Sequence, residues 1–173
     1  GIKGRHTLAD YVTGVEDTST NKIVLYSSAQ TGKTTELKQL CWELQQSGLY
    51  LPVSFEIRTN TKLKREDLPE SQYVDGKEVV LVIDALDEVN GQKYEDLLEE
   101  IGGYAYEHPE MKMVLSCRSN FRRERQLELF TELFLEELSI GDAKNYATKR
   151  EVNSDGFMRS IFANQLEDFI KNP

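Results

Sequence analysis

Apolar positions in this chain form short continuous runs separated by stretches with three- and four-residue spacing. Val24-Leu25-Tyr26 is one such run, leading into a small, polar loop. From Thr34 to Gln46, Leu37, Leu40, Cys41 and Leu44 recur at helical steps, which predicts an amphipathic helix ended near Gly48. Leu51 to Ile57 predicts a second strand. Residues 58–78, rich in Lys, Arg, Glu, Asp and Pro, predict an exposed connection with a short helical piece. Val79 to Ile83 is β-branched or leucine throughout, as expected of a strand covered on both faces. Tyr94 to His108 places Leu97, Leu98, Ile101 and Tyr104 on one side of a second helix, and Met111 to Cys117 predicts another strand. Thr131 to Leu138 alternates imperfectly and predicts a weaker one. From Gly141 the pattern is helical, over Asp142 to Lys149 and then about Gly156 to Ile170.

Strands that alternate with helices argue for an α/β fold with a mostly parallel central sheet flanked on both faces. The core is expected over residues 1–138. Residues 139–173 are expected to form a helical C-terminal extension, either part of the same domain or the start of a helical subdomain. No internal repeat or low-complexity tract is visible.

Composition narrows the class. The chain has 173 residues, 39% of them hydrophobic and 29% charged, with 11 Gly and 4 Pro, which suits one soluble domain with its own core. No apolar run approaches the roughly 20 residues of a bilayer span, and no signal peptide is visible at the start. The chain opens on Gly1 rather than methionine, as expected of a cut boundary. The net charge of −9 opposes adhesion to nucleic acid and to anionic membranes, so neither is an expected partner. Arg122-Arg123-Glu124-Arg125 runs against that trend. It reads as a solvated helix face, with a phosphate or partner contact as the alternative. Cys41 and Cys117 have no metal-type spacing and read as buried thiols of a reducing cytoplasm, the expected location. His6 and His108 stand apart from other ligand types, so no metal site is expected on them.

The chemistry enters through two motifs. A phosphate loop needs Gly, four residues, then Gly-Lys-Ser/Thr between a strand and a helix. Gly32-Lys33-Thr34 matches in that setting, whereas Ser27 stands at the first glycine and Gln30 where many such loops carry another. Ser27, Ser28, Ala29, Gln30, Thr31, Gly32, Lys33, Thr34 and Thr35 are therefore the candidate phosphate-binding residues. Backbone amides and the helix dipole favour an anion there, Lys33 would bridge the outer phosphates, and Thr34 would give a hydroxyl to Mg²⁺. Asp84 ends an apolar strand at the edge where open α/β sheets bind ligands, so Thr34 and Asp84 are the candidate metal ligands. Three acids in Asp84-Ala85-Leu86-Asp87-Glu88 form a like-charge cluster that is expected to need a cation. Asp87 and Glu88 are candidates to orient or deprotonate a water. Arg118 closes the strand Met113-Val114-Leu115-Ser116-Cys117-Arg118 and is a candidate reader of the γ-phosphate. ATP or ADP with Mg²⁺ is the expected ligand.

Together these residues resemble the NACHT class of STAND signalling ATPases, which are P-loop NTPases with a three-layer sandwich. Asp84-Ala85-Leu86-Asp87-Glu88 is similar to that family's Asp-Gly/Ala-Leu-Asp-Glu box, and Ser116-Cys117-Arg118-Ser119-Asn120 is similar to its first sensor. Phe134-Leu135-Glu136-Glu137-Leu138-Ser139 with Asp142-Ala143-Lys144-Asn145-Tyr146 resembles the strand and helix closing the NTPase core. Gln165 to Pro173 resembles the segment whose Asn-Pro lies near the adenine. The resemblance implies phosphate and magnesium roles for Lys33 and Thr34, the magnesium acid in Asp84, hydrolytic acids in Asp87 and Glu88, and a sensor in Arg118. It also implies slow ATP hydrolysis that controls conformation, with self-association or other domains of a longer protein as partners.

Other readings stay open on the residues alone. One is a nucleotide-binding module without turnover, and another is a protein-interaction scaffold with a degenerate loop. A small-molecule kinase is a third, with Arg122 to Arg125 imitating a lid, although Asp87-Glu88 suits activation of water better.

Overall fold

The computed structural model describes residues 7–14, 20–28, 32–58, 63–89, 92–122 and 127–135, with the single positions Gly141, Thr148, Gly156 and Arg159. In chain order they form α1 (Leu8–Thr13), β1 (Lys22–Ser27), α2 (Lys33–Ser47), β2 (Tyr50–Glu56), β3 (Tyr73–Val74), β4 (Lys77–Asp84), α3 (Gln92–Glu107), β5 (Lys112–Arg118) and β6 (Thr131–Phe134). Short 3-10 turns occupy Arg65–Asp67, Leu86–Glu88 and Ser119–Phe121. The sheet runs β2-β4-β5-β1-β6 with every one of these neighbours parallel, and β3 pairs antiparallel with β4 off that path. The mostly parallel α/β fold read from the sequence is thus the observed one.

Side-chain alternation divides the strand residues between two cores. Ile23 and Leu25 of β1, Val80 and Val82 of β4, and Val114 of β5 pack with Leu37, Leu40 and Leu44 of α2 and with Leu8 and Val12 of α1. The intervening Val24, Tyr26, Val79, Leu81, Ile83, Met113, Leu115 and Cys117 pack with Leu97, Leu98, Ile101 and Tyr104 of α3. Burial on both faces is why β4 and β5 carry unbroken apolar runs instead of alternating ones. Cys41 joins the α2 side half-buried and Cys117 the α3 side fully buried, so the two free thiols lie on opposite faces of the sheet. Only one of the two expected buried thiols is therefore fully buried.

Two elements were not expected. α1 is a six-residue helix opened by a capping box between Thr7 and Asp10 and closed by left-handed Gly14. β3 lies within the stretch expected to be only an exposed connection. Asp75 (φ 50°) and Gly76 (φ 76°) turn the chain into β4, and two successive positive φ values are what a two-residue type I′ hairpin requires. Charge in the flanking residues hid that Asp-Gly signal. The short helical piece expected in this connection is the 3-10 turn at Arg65–Asp67. In the tail, Gly141, Thr148, Gly156 and Arg159 are helical; the other positions of the two expected C-terminal helices lie outside the described residues.

The start of β1 is tied to the end of α3 by a buried cation. Lys22 is 5% exposed, and its Nζ donates to the carbonyls of His108 (3.1 Å), Pro109 (2.7 Å) and Met111 (3.4 Å). Carbonyls past a helix C-terminus lack helical partners and carry partial negative charge, so an ammonium group satisfies both needs. Burial pulls Lys22 below the usual lysine range, with Glu110 opposing.

Two buried acids give the fold an alkaline limit. Burial pushes the Cys117 thiol from 9.0 up to about 11, opposed mainly by the Tyr94 hydroxyl. Burial, then the charges of Cys117 and Glu132, pushes Tyr26 from 10.0 up to about 12, with Arg122 opposing. Each group stays protonated in the fold at pH values where the unfolded chain releases its proton. The stability each contributes is therefore present below pH 9 and 10, respectively, and is lost as pH rises through 11 and 12. Lys22 acts in the opposite sense, because the unfolded chain holds its proton more firmly than the fold does. Urea unfolding followed by circular dichroism should show the midpoint falling above pH 9. Cys117→Ala should flatten the part of that fall below pH 11; an unchanged slope would exclude the thiol as its source.

Candidate functional site

Parallel pairing brings the carboxyl ends of β1, β4 and β5 to one edge. Ser27 is opposite Arg118 in the β1–β5 register, and Ile83 is opposite Leu115 in the β4–β5 register, so Asp84 comes level with Ser116. The same alternation that sends Val82, Val114 and Leu25 toward α2 sends Asp84, Ser116 and Ser27 to that side. The polar ends of three buried strands thus meet the start of α2.

At this meeting point Thr34 Oγ1 donates to Asp84 Oδ2 at 2.7 Å, joining residues 50 apart in sequence. The other oxygen, Oδ1, accepts a hydrogen bond from Ser116 Oγ, and Ser116 Oγ in turn accepts the Ala85 N–H at 2.9 Å. Ser116 is wholly buried and all of its hydroxyl bonding goes to the acidic turn. No local pattern in the sequence gives Ser116 a role of its own. The available signal was a lone hydroxyl in an otherwise apolar strand, two residues before Arg118.

The phosphate-loop candidates are described in part. Ala29, Gln30 and Thr31 lie outside the described residues. Gly32 is the N-cap of α2 with φ 87° and ψ 18°, a left-handed conformation that suits glycine. Lys33 folds back along the loop: its Nζ donates to Ser27 Oγ at 3.0 Å and to the Ser28 carbonyl at 3.5 Å. Burial pulls the Lys33 ammonium below the usual lysine range; Asp87, Cys117 and Asp84 oppose this and Arg118 adds to it. Serine at the first glycine position is thus a partner of the lysine, and Ser27 is itself 2% exposed. Thr35 lies exposed in the first turn of α2.

The two later acids occupy different environments. Asp87 Oδ1 accepts the Arg118 backbone N–H at 2.8 Å, and Oδ2 faces Arg118 Nε at 2.8 Å. The Asp87 side chain is 3% exposed and that of Arg118 45%. Glu88 is exposed on the same 3-10 turn. Arg118 thus supplies a protein cation to Asp87, one acid of the cluster expected to need a cation. Arg122, expected on a helix face, instead follows a 3-10 turn; it pairs with Glu132 at 2.7 Å and lies over the Phe134 ring. The rest of that basic knot lies outside the described residues.

A hard divalent cation fits the Thr34–Asp84 pair, because a hydroxyl and a carboxylate already converge there. Mg²⁺ commonly uses one or two protein groups and takes its remaining ligands from phosphates and water. Among the described residues no cluster of three or more His, Cys, Asp or Glu side chains suited to a metal occurs. A cleft of about 290 Å³ runs from this pair along α2 past Cys41 and Trp42 to Phe55 of β2. It borders the candidate metal position and is lined by residues of α2, β2 and β4, Thr34 and Asp84 among them.

Ala85 carries the strain of the acidic turn. Its φ of 62° and ψ of 46° are left-handed, which costs an alanine roughly 1 kcal/mol. The Ser116 hydrogen bond to its N–H holds it there. Ala85→Gly should leave stability within about 1 kcal/mol of wild type, since relieved strain offsets greater freedom of the unfolded chain. Ala85→Val should lower it by at least ~2 kcal/mol in urea unfolding, because a β-branched residue is an outlier in this region. Equal effects of the two substitutions would show that the turn is not strained.

No protein-family model and no curated protein matches this chain. Among solved structures it is similar to a chain of Hsp104, determined by cryo-electron microscopy in a closed state with ATPγS and FITC casein. The TM-score is 0.51 at 14% identity, over 73% of this chain and 25% of the Hsp104 chain. The chain thus spans about a quarter of the length of that relative. At this identity the likeness shows the fold alone: a mostly parallel α/β sheet between helical layers.

Proposed function

We propose that this chain is the nucleotide-binding core of a regulatory ATPase of the STAND/NACHT type, spanning residues 1–138, with residues 139–173 beginning a helical subdomain. The observation that carries the proposal is the 2.7 Å hydrogen bond from Thr34 to Asp84, which joins the loop-end hydroxyl to the strand-end acid. Lys33 beside Ser27 and Arg118 at the end of β5 add two cations at the same edge. The NACHT reading is supported by Ala85, whose left-handed backbone gives a reason for the glycine that the acidic box takes as the alternative to alanine at its second position. The presence of ATPγS with the Hsp104 chain of similar fold accords with this reading.

In the proposed reaction a water oxygen attacks the γ-phosphorus in line, and the bond from that phosphorus to the ADP oxygen breaks. The water's proton leaves toward Glu88, the exposed acid of the turn. Thr34 and Asp84 would hold Mg²⁺, which supplies neutralising charge to the phosphate oxygens. Lys33 would leave Ser27 for the outer phosphates. Turnover would be slow, with nucleotide state setting conformation and association with other domains or copies. A second reading, nucleotide binding without turnover, is favoured by one observation: both oxygens of Asp87 are engaged by Arg118.

Calorimetry with ATP and ADP in Mg²⁺ tests the site. Wild-type protein should bind both, and Lys33→Ala should lose about 1.5–3 kcal/mol, or tenfold and more in affinity. Absence of heat from either nucleotide at high concentration would remove the nucleotide reading. Phosphate release tests the enzyme: Glu88→Gln should lower the rate by roughly a hundredfold or more while nucleotide still binds. Equal background rates from wild type and variant would leave the binding module as the function.

A further inference from the structure

Asp87 and Arg118 share an arrangement that a general base would not be expected to have. The carboxylate is 3% exposed and both of its oxygens are taken, Oδ1 by the Arg118 backbone N–H and Oδ2 by Nε. A water molecule has little approach to such a group, whereas Glu88, one residue on, is exposed. The guanidinium is held by its inner nitrogen, Nε, while its side chain remains 45% exposed. Guanidinium is planar and carries five donors in a fixed fork, so fixing one edge also orients the other. Arg118 is level with Ser27 in the sheet, and Ser27 is the residue that Lys33 contacts. The charges of Asp87 and Arg118 both act on Lys33, which places the three groups in one local field.

We infer that Asp87 is a positioning residue: by holding the Nε edge of Arg118 it aims the outer guanidinium nitrogens at a terminal phosphate. In this way it sets how far the site prefers a nucleoside triphosphate over a diphosphate. The inference rests on the nucleotide-site reading above and assigns to the acid a role distinct from activation of water. Arg118 can serve Asp87 and a phosphate together, because the carboxylate uses Nε and leaves the rest of the fork for the ligand. A lysine in its place puts a point charge on a flexible stem, so holding it at Asp87 does not aim a second edge at the phosphate.

The test is the ratio of ATPγS to ADP affinity, measured by calorimetry in Mg²⁺ on the whole chain. Asp87→Asn should lower that ratio by roughly ten- to a hundredfold, the range of a charge-assisted hydrogen bond, with ADP affinity unchanged. A purely structural defect would weaken both nucleotides alike. Arg118→Lys, at a half-exposed side chain, should lower the ratio similarly, and the double variant should lower it no further. If Asp87→Asn does not fold, as judged by circular dichroism, Arg118→Lys carries the test alone. A wild-type ratio in folded Asp87→Asn, or in Arg118→Lys, would overturn the positioning role while leaving the nucleotide site standing. Failure of the wild type to bind either nucleotide would overturn the site itself.

Discussion

β5 pairs in parallel with β1 on one side and β4 on the other, and that register carries the ends of all three strands to a single edge. Most of what can be said of the candidate site depends on this constraint. Parallel strands place their carboxyl ends together, and side-chain alternation then decides which end residues face α2. Ser27, Asp84 and Ser116 do so because each is an even number of residues from an apolar side chain buried beneath α2. A one-residue slip of β5 would present Cys117 to Asp84 in place of Ser116.

The edge is held by hydrogen bonds among its polar groups. Asp84 is spanned by Thr34 and Ser116, Ser116 also satisfies the Ala85 N–H, and Asp87 is clasped by Arg118. Buried polar groups are costly unless paired, and here pairing with β5 also stabilises a left-handed alanine. β5 therefore acts as the jig on which the acidic turn is shaped: Ser116 holds its first acid and Arg118 its second. The third acid, Glu88, stays outside the clasp. Three carboxylates close in sequence thus end in three environments, and their spacing along the chain is a poor guide to their shared chemistry.

Much of this was legible in the residues. The runs at Val24 to Tyr26, Val79 to Ile83 and Met111 to Cys117 mark three central strands because a strand buried on both faces must be apolar throughout. Gly32-Lys33-Thr34 and Asp84 stood out as polar breaks at strand and helix ends, and the structure brings Thr34 to Asp84. The hairpin at Asp75-Gly76 and the capped helix after Thr7 went unread, since each rests on two or three residues within a polar stretch. The roles of Ser116 and Asp87 were illegible for another reason. Both depend on partners about 31 residues away in sequence, which no local pattern records.

By itself the sequence determined the alternation of strands and helices, the strand-end position of Asp84 and the phosphate-loop signature at the start of α2. These follow from local periodicity and composition, which need no knowledge of distant residues. Only the tertiary structure decided that Asp84 meets Thr34 and Ser116, that Lys33 rests on Ser27, and that Asp87 is bound by Arg118 while Glu88 is left exposed. The physical reason is that hydrogen bonds and burial depend on which strands become neighbours and in what register. In a sheet ordered β2-β4-β5-β1-β6, the neighbours that build the site are remote in the chain.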